Sequence, residues 1–136
     1  MYSPEEIKAF EKILADFTNY MESNPYLEII RSPKFGYCKL VFDDINRWDG
    51  SGMLERFQDS EELLDGIYEE ILADVRDLEI EGDHKTNQLS CSEAKEICRR
   101  VDGIIQNSGK ERQYYMRRLE QFLEAYQELW GMDETP

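Results

Sequence analysis

The chain has 136 residues, with 30 Asp or Glu against 16 Lys or Arg and a formal net charge of -14. That length predicts one domain, residues 1–136, with a real hydrophobic core. The hydrophobic content of 40% and aromatic content of 12% are too high for a disordered polymer, despite the charge. So acidic a surface repels a phosphate backbone and an anionic membrane alike, so the natural partners are basic proteins, or none.

The longest apolar runs, such as Leu40-Val41-Phe42, are far shorter than a membrane span needs. The first residues are acidic and helix-like, unlike a signal or transit peptide, and a cytoplasmic protein is expected. Cys38, Cys91 and Cys98 are an odd count, which argues against a disulfide scaffold. Cys91 and Cys98 lie two helical turns apart, too far to bridge within a helix, and all three read as small core residues.

Residues 3–22 predict a helix. Ser3 caps it, Pro4 suits its first position, and Glu6 has capping-box spacing from Ser3. Ile7, Phe10, Ile13, Leu14, Phe17 and Met21 form its apolar stripe. Asn24 and Pro25 end it. Tyr26 to Arg31 and Tyr37 to Phe42 read as two antiparallel strands around a turn at Ser32–Gly36, and Met53 to Phe57 as a third. Between them, Asp43 to Gly52 is a polar loop holding Trp48.

A long helix then runs from Asp59 or Ser60 to about Leu78, with Asp59 and Glu62 at capping-box spacing. Its apolar face is Leu63, Leu64, Ile67, Ile71, Leu72, Val75 and Leu78. Glu62, Asp65 and Glu69 make one acidic row, and Glu70, Asp74 and Asp77 a second beside it. A polar loop follows from Glu81 to Leu89 and holds the only histidine, His84. Ser90 and Glu93 box the next helix, which runs to about Gln106 on Ala94, Ile97, Cys98, Val101, Ile104 and Ile105. Ser108 and Glu111 box the last one, which ends before Gly131 on the stripe Tyr115, Leu119, Phe122, Tyr126 and Leu129. The short break between the two predicts an antiparallel helical hairpin and leaves a short loose tail. The expected fold is α+β: an N-terminal helix, a three-stranded antiparallel sheet, an acidic helix and a C-terminal helical hairpin.

No P-loop, Rossmann fingerprint or nucleophile elbow is present, and no His/Cys spacing suits zinc. Asp44, Asn46 and Glu55 fall at calcium-loop positions. However, Trp48 and Asp49 stand where a ligand and the obligatory glycine belong, and the loop joins strands, not helices. The sequence therefore predicts no catalytic residue, no metal ligand, no cofactor and no enzyme activity. Residues 84–118 carry eight Lys or Arg against four acids, and Arg112 to Arg118 interleaves cations with aromatics. Pairing with Glu120, Glu124 and Glu128 accounts for this more simply. Trp48 beside Arg47 reads either as an exposed interface anchor or as a cover over the sheet.

Between Met53 and Asp83 there are twelve Asp or Glu against two Arg. Like charges at i,i+4 spacing cost helix stability, and a solvated surface needs no such density. Rows of carboxylates can stand in for a phosphate backbone. The surface Glu62, Asp65, Glu69, Glu70, Asp74 and Asp77, with Trp48, is therefore the candidate partner-binding site.

The Tyr26 to Phe57 sheet followed by the Asp59 to Asp77 acidic helix resembles small anti-CRISPR proteins of phages and mobile elements. Those proteins occupy the DNA-binding groove of an RNA-guided nuclease. The resemblance implies an acidic, non-enzymatic inhibitor in a bacterial host cell. It would bind a basic nucleic-acid-binding protein by mimicking DNA charge. The other reading of the residues is an interaction or immunity-type module that binds one partner through apolar and aromatic contacts.

Overall fold

The computed structural model describes residues 2–41, 53–79, 89–130 and 132–133, with backbone alone at 53, 77–79, 128–130 and 132–133. The expected loops at 43–52 and 81–89, with Trp48 and His84, lie outside the described residues except for Leu89, which is a strand residue and not part of a loop. The architecture is the expected α+β one, with five helices and a three-stranded antiparallel sheet among the described residues. Its contacts cluster into two compact units, Met1–Gly66 and Ile67–Pro136, with the boundary inside the long helix.

The predicted first helix is two: α1, Pro4–Asp16, and α2, Thr18–Ser23. Phe17 leaves helical geometry between them, at φ -111° and ψ 19°. The cause is local. The Thr18 hydroxyl donates to the carbonyls of Leu14 and Ala15, each at 3.0 Å. It thereby competes with the backbone for those acceptors. The stripe stays on one side nonetheless. Phe10, Ile13, Phe17 and Tyr20 are buried.

Strands β1 (Leu27–Ser32), β2 (Gly36–Val41) and β3 (Met53–Arg56) pair in that order, both pairs antiparallel. Ser32 Oγ holds the first turn by accepting from the Lys34 and Phe35 N–H groups. Strand alternation puts Leu27, Tyr37, Lys39 and Phe57 on one side, all buried. There the Phe10 ring stacks on Tyr37, with centroids 4.2 Å apart. Beyond Arg56 the β2–β3 ladder is finished by a side chain. Phe57 N–H donates to the Tyr37 carbonyl at 3.0 Å. The return bond is replaced by the Tyr2 hydroxyl, which accepts from Tyr37 N–H at 3.2 Å and donates to the Phe57 carbonyl at 2.6 Å.

Helix α3 runs Ser60–Glu79. Every described residue of its predicted apolar face is buried, and Tyr68 joins them. In the second unit, β4 (Leu89–Ser90) leads into α4 (Cys91–Ile104), and α5 (Lys110–Trp130) returns beside it as the expected antiparallel hairpin. Ile97, Val101, Ile105, Tyr115, Leu119 and Leu123 are buried, and the Tyr68 hydroxyl donates to the Tyr115 carbonyl at 2.7 Å. Helix α5 starts later than a Ser108 cap requires. Gly109 has φ 66° and so cannot be the first helical residue. The expected loose tail is partly ordered: Met132–Asp133 forms β5, parallel to β4.

Gly66 lies in the interior of α3, where glycine costs roughly 1 kcal/mol relative to alanine. A Cβ there would stand 2.9 Å from Phe57 Cε1 and 3.2 Å from Cζ, on a ring buried in the sheet's inner face. The close approach outweighs the propensity, because overpacking a core costs roughly 1–3 kcal/mol. Gly66→Ala is therefore expected to lower the midpoint of urea denaturation. A raised midpoint would mean that Phe57 yields freely.

Candidate functional site

Helix α3 carries eight carboxylates and one cation between Ser60 and Glu79. The position of each is set by how the helix begins and which side it buries. Asp59 Oδ1 accepts from the Glu62 N–H at 2.9 Å, as the capping spacing predicts. The return bond is displaced by one residue. Glu62 Oε1 accepts from the Gln58 N–H at 2.6 Å, not from Asp59. A similar diversion fixes the Ser60 N–H, which donates to Glu6 Oε1 at 2.6 Å. Glu6 therefore does not close the box with Ser3, although Ser3 Oγ does accept from the Glu6 N–H. Its carboxylate ties α1 to the start of α3.

The two predicted acidic rows differ in exposure. In the first row Glu62 and Glu69 are exposed and Asp65 is half-buried. In the second, Glu70 and Asp74 are half-buried, and Asp77 is described only as backbone within α3. Asp65, Glu69, Glu70 and Asp74 each take part in a polar or electrostatic interaction within the chain. The open strip of α3 is thus narrow, running through Glu62, Glu69 and Ala73 with Asp65 at its margin. Trp48, the remaining predicted site residue, lies outside the described residues.

Arg76, the helix's one cation, is turned away from this strip. Its Nε lies 3.1 Å from Glu93 Oε2, with side-chain exposures of 16% and 2%. The guanidinium sits over the Tyr126 ring, 5.1 Å from its centroid. Glu93 Oε1 meanwhile accepts from the Ser90 N–H, and Ser90 Oγ from the Glu93 N–H, so the predicted box at α4 closes. One buried carboxylate is therefore both a cap and an ion-pair partner. Nothing in the sequence pattern foretold the second role, because Arg76 and Glu93 are 17 residues apart in different helices.

Part of the basic segment is engaged within the hairpin itself. Arg112 donates to the Asp102 carbonyl at 2.9 Å and its Nε lies 3.0 Å from Asp102 Oδ1, which links the α4 end to the α5 start. Arg118 donates to Gln121 Oε1. Arg99 pairs with Glu96 and holds that carboxyl below its ordinary range. Tyr114 and Arg117 remain exposed. Burial pushes the Cys98 thiol up, and the Glu120 carboxylate adds to the shift, so this cysteine is held as the unreactive thiol. Lys39, which the sequence pattern left unremarked, is buried in the central strand with its Nζ 3.7 Å from Glu55 Oε2. Among the described residues no group of three or more His, Cys, Asp or Glu is placed to hold a metal ion, and no helix is long and apolar enough to cross a membrane.

Breaking one side of a buried ion pair leaves an uncompensated charge and costs roughly 3–5 kcal/mol. Glu93→Gln keeps the acceptor for Ser90 and removes only the charge facing Arg76. It is expected to lose stability of that order in chemical denaturation, and adding Arg76→Met should restore part of it. No recovery in the double variant would show that the pair is not the cause.

Comparison with protein-family models, curated proteins and solved structures finds no match to this chain.

Proposed function

We propose that the protein is a non-enzymatic inhibitor that takes the place of DNA on a basic nucleic-acid-binding protein, such as an RNA-guided nuclease, in the bacterial cytoplasm. The observation that supports this most is the partition of charge on α3. Glu62 and Glu69 are exposed and Asp65, Glu70 and Asp74 half-buried, while the one cation of the helix is withdrawn to Glu93 and Tyr126. A helix arranged only for solubility gains from mixed signs at its surface, and this one keeps its positive charge off it. Glu62 and Glu69 lead the contact, with Asp65, Glu70, Asp74 and Asp77 extending the negative field around them. A cleft built to draw in a polyanion would be steered toward such a surface.

A second reading has its own observation. Ile30, Phe35 and Leu54 are large apolar side chains left exposed on or beside the sheet. That suits a module that binds through apolar contact, with Trp48 as a further anchor.

The test is affinity capture from a nuclease-treated bacterial lysate, eluted in steps of rising salt. The DNA-mimic reading expects a basic nucleic-acid-binding protein that leaves at moderate salt and is displaced by added duplex DNA. It also expects the variant Glu62→Gln, Asp65→Asn, Glu69→Gln to capture markedly less. A partner that resists both salt and DNA, and is held equally by that variant, overturns the reading in favour of apolar binding.

A further inference from the structure

The side of the sheet away from Tyr37 and Phe57 carries Glu28, Ile30 and Ser32 on β1, Gly36, Cys38 and Leu40 on β2, and Leu54 and Arg56 on β3. Ile30 is 38% exposed and Leu54 64%, with Phe35 at the neighbouring turn 57%. Four of the five exposed large hydrophobics among the described residues lie in this sheet or in the turns flanking β1. An apolar face of this kind on a protein otherwise dense in charge marks a contact surface.

The register fixes its pattern. Glu28 stands opposite Leu40, which stands opposite Leu54; Ile30 stands opposite Cys38, which stands opposite Arg56. Neighbouring strands are about 4.8 Å apart and alternate residues about 6.8 Å along a strand, so these positions form a small rectangle. The two charges occupy one diagonal, Glu28 and Arg56. The two exposed aliphatics occupy the other, Ile30 and Leu54. Such a face is complementary to itself. A two-fold axis in the plane of the sheet, perpendicular to the charged diagonal, lays Glu28 of one copy over Arg56 of the other, twice. It keeps Ile30 and Leu54 near the axis, against their own counterparts. An isologous dimer requires this self-matching, whereas an unrelated partner does not. Arg56 is exposed, with its Nε donating to the Phe35 carbonyl and its guanidinium over the Tyr2 ring, and no carboxylate of the described residues pairs with it. Glu28 is exposed and has no hydrogen-bond or ion-pair partner among the described residues.

We propose that this sheet face, whose corners are exposed around a buried Cys38, docks a second copy of the chain as a symmetric pair, through two Glu28–Arg56 contacts around an Ile30–Leu54 centre. The net charge of -14 on each copy opposes association at low salt. The dimer therefore belongs to physiological ionic strength, where repulsion beyond about 8 Å is screened.

Sedimentation equilibrium of the full chain tests this at physiological salt, with circular dichroism to confirm that each variant is folded. The wild type should dimerise. Glu28→Arg alone and Arg56→Glu alone should each weaken the dimer about tenfold or more, by placing like charges face to face. An equimolar mixture of the two single variants should recover association, because each supplies the charge the other now needs. Leu54→Asp, at an exposed position, should abolish it independently of the charge pair. A wild type that stays monomeric, or single variants that dimerise as the wild type does, overturns the proposal and leaves the face to a different partner. So does a mixture that associates no better than either variant alone.

Discussion

Arg76 extends from the most acidic helix of the chain to a carboxylate in another helix, where both side chains are largely removed from water. In such surroundings a charge is tolerated only with a partner and with its remaining hydrogen-bonding capacity used. Glu93 meets both demands, since its second oxygen caps α4 at the Ser90 N–H. The second unit depends on this arrangement. It joins α3 to the start of α4 and sets Tyr126 of α5 beneath the guanidinium. It also draws the helix's own cation to Glu93 and Tyr126, away from exposed Glu62 and Glu69.

The first unit uses carboxylates in a similar way at smaller scale. Glu6 leaves its own helix start to hold the Ser60 N–H, and Glu62 reaches back to Gln58. The start of α3 is thus fixed by hydrogen bonds to charged groups, roughly twice as strong as neutral ones. Tyr2 performs a comparable service for the sheet, completing a backbone pair with a phenol oxygen. The close approach of Phe57 to Gly66 then brings the first turns of α3, as far as Gly66, against the inner face. What remains toward solvent is an acidic strip on α3 and, on the sheet's other side, a face with two charges and two aliphatics at opposite corners.

The element order, the three strands and the apolar stripes were legible in the sequence, because periodicity and turn residues are local signals. The capping spacings were legible too, but their outcomes were not. Of the four candidate boxes, only Ser90 with Glu93 closes reciprocally; at Ser3 and Asp59 the acidic partner bonds elsewhere, and at Ser108 the backbone of Gly109 moves the helix start. A carboxylate three residues into a helix is free to choose any N–H within reach, and that choice is tertiary. Thr18 similarly split a helix whose stripe reads as continuous. For the candidate site, the sequence identified the acids but not the division between exposed Glu62 and Glu69 and half-buried Glu70 and Asp74. Nor did it foresee Arg76 turning inward, since an ion pair between helices leaves no trace in spacing.

Carboxylates kept along α3 for recognition repel one another at some cost to the helix. The most direct measurement is the unfolding free energy of the variant Glu69→Gln, Glu70→Gln, Asp74→Asn against the wild type, at low and at high salt. Charge kept for recognition predicts that salt raises the stability of the wild type more than that of the variant, because only the wild type carries the full like-charge repulsion, while the contacts that Glu69, Glu70 and Asp74 make within the chain are lost from the variant at both salt concentrations. A wild type that gains no more from salt than the variant would contradict it, and would make those acids part of the folding machinery, not of a binding surface.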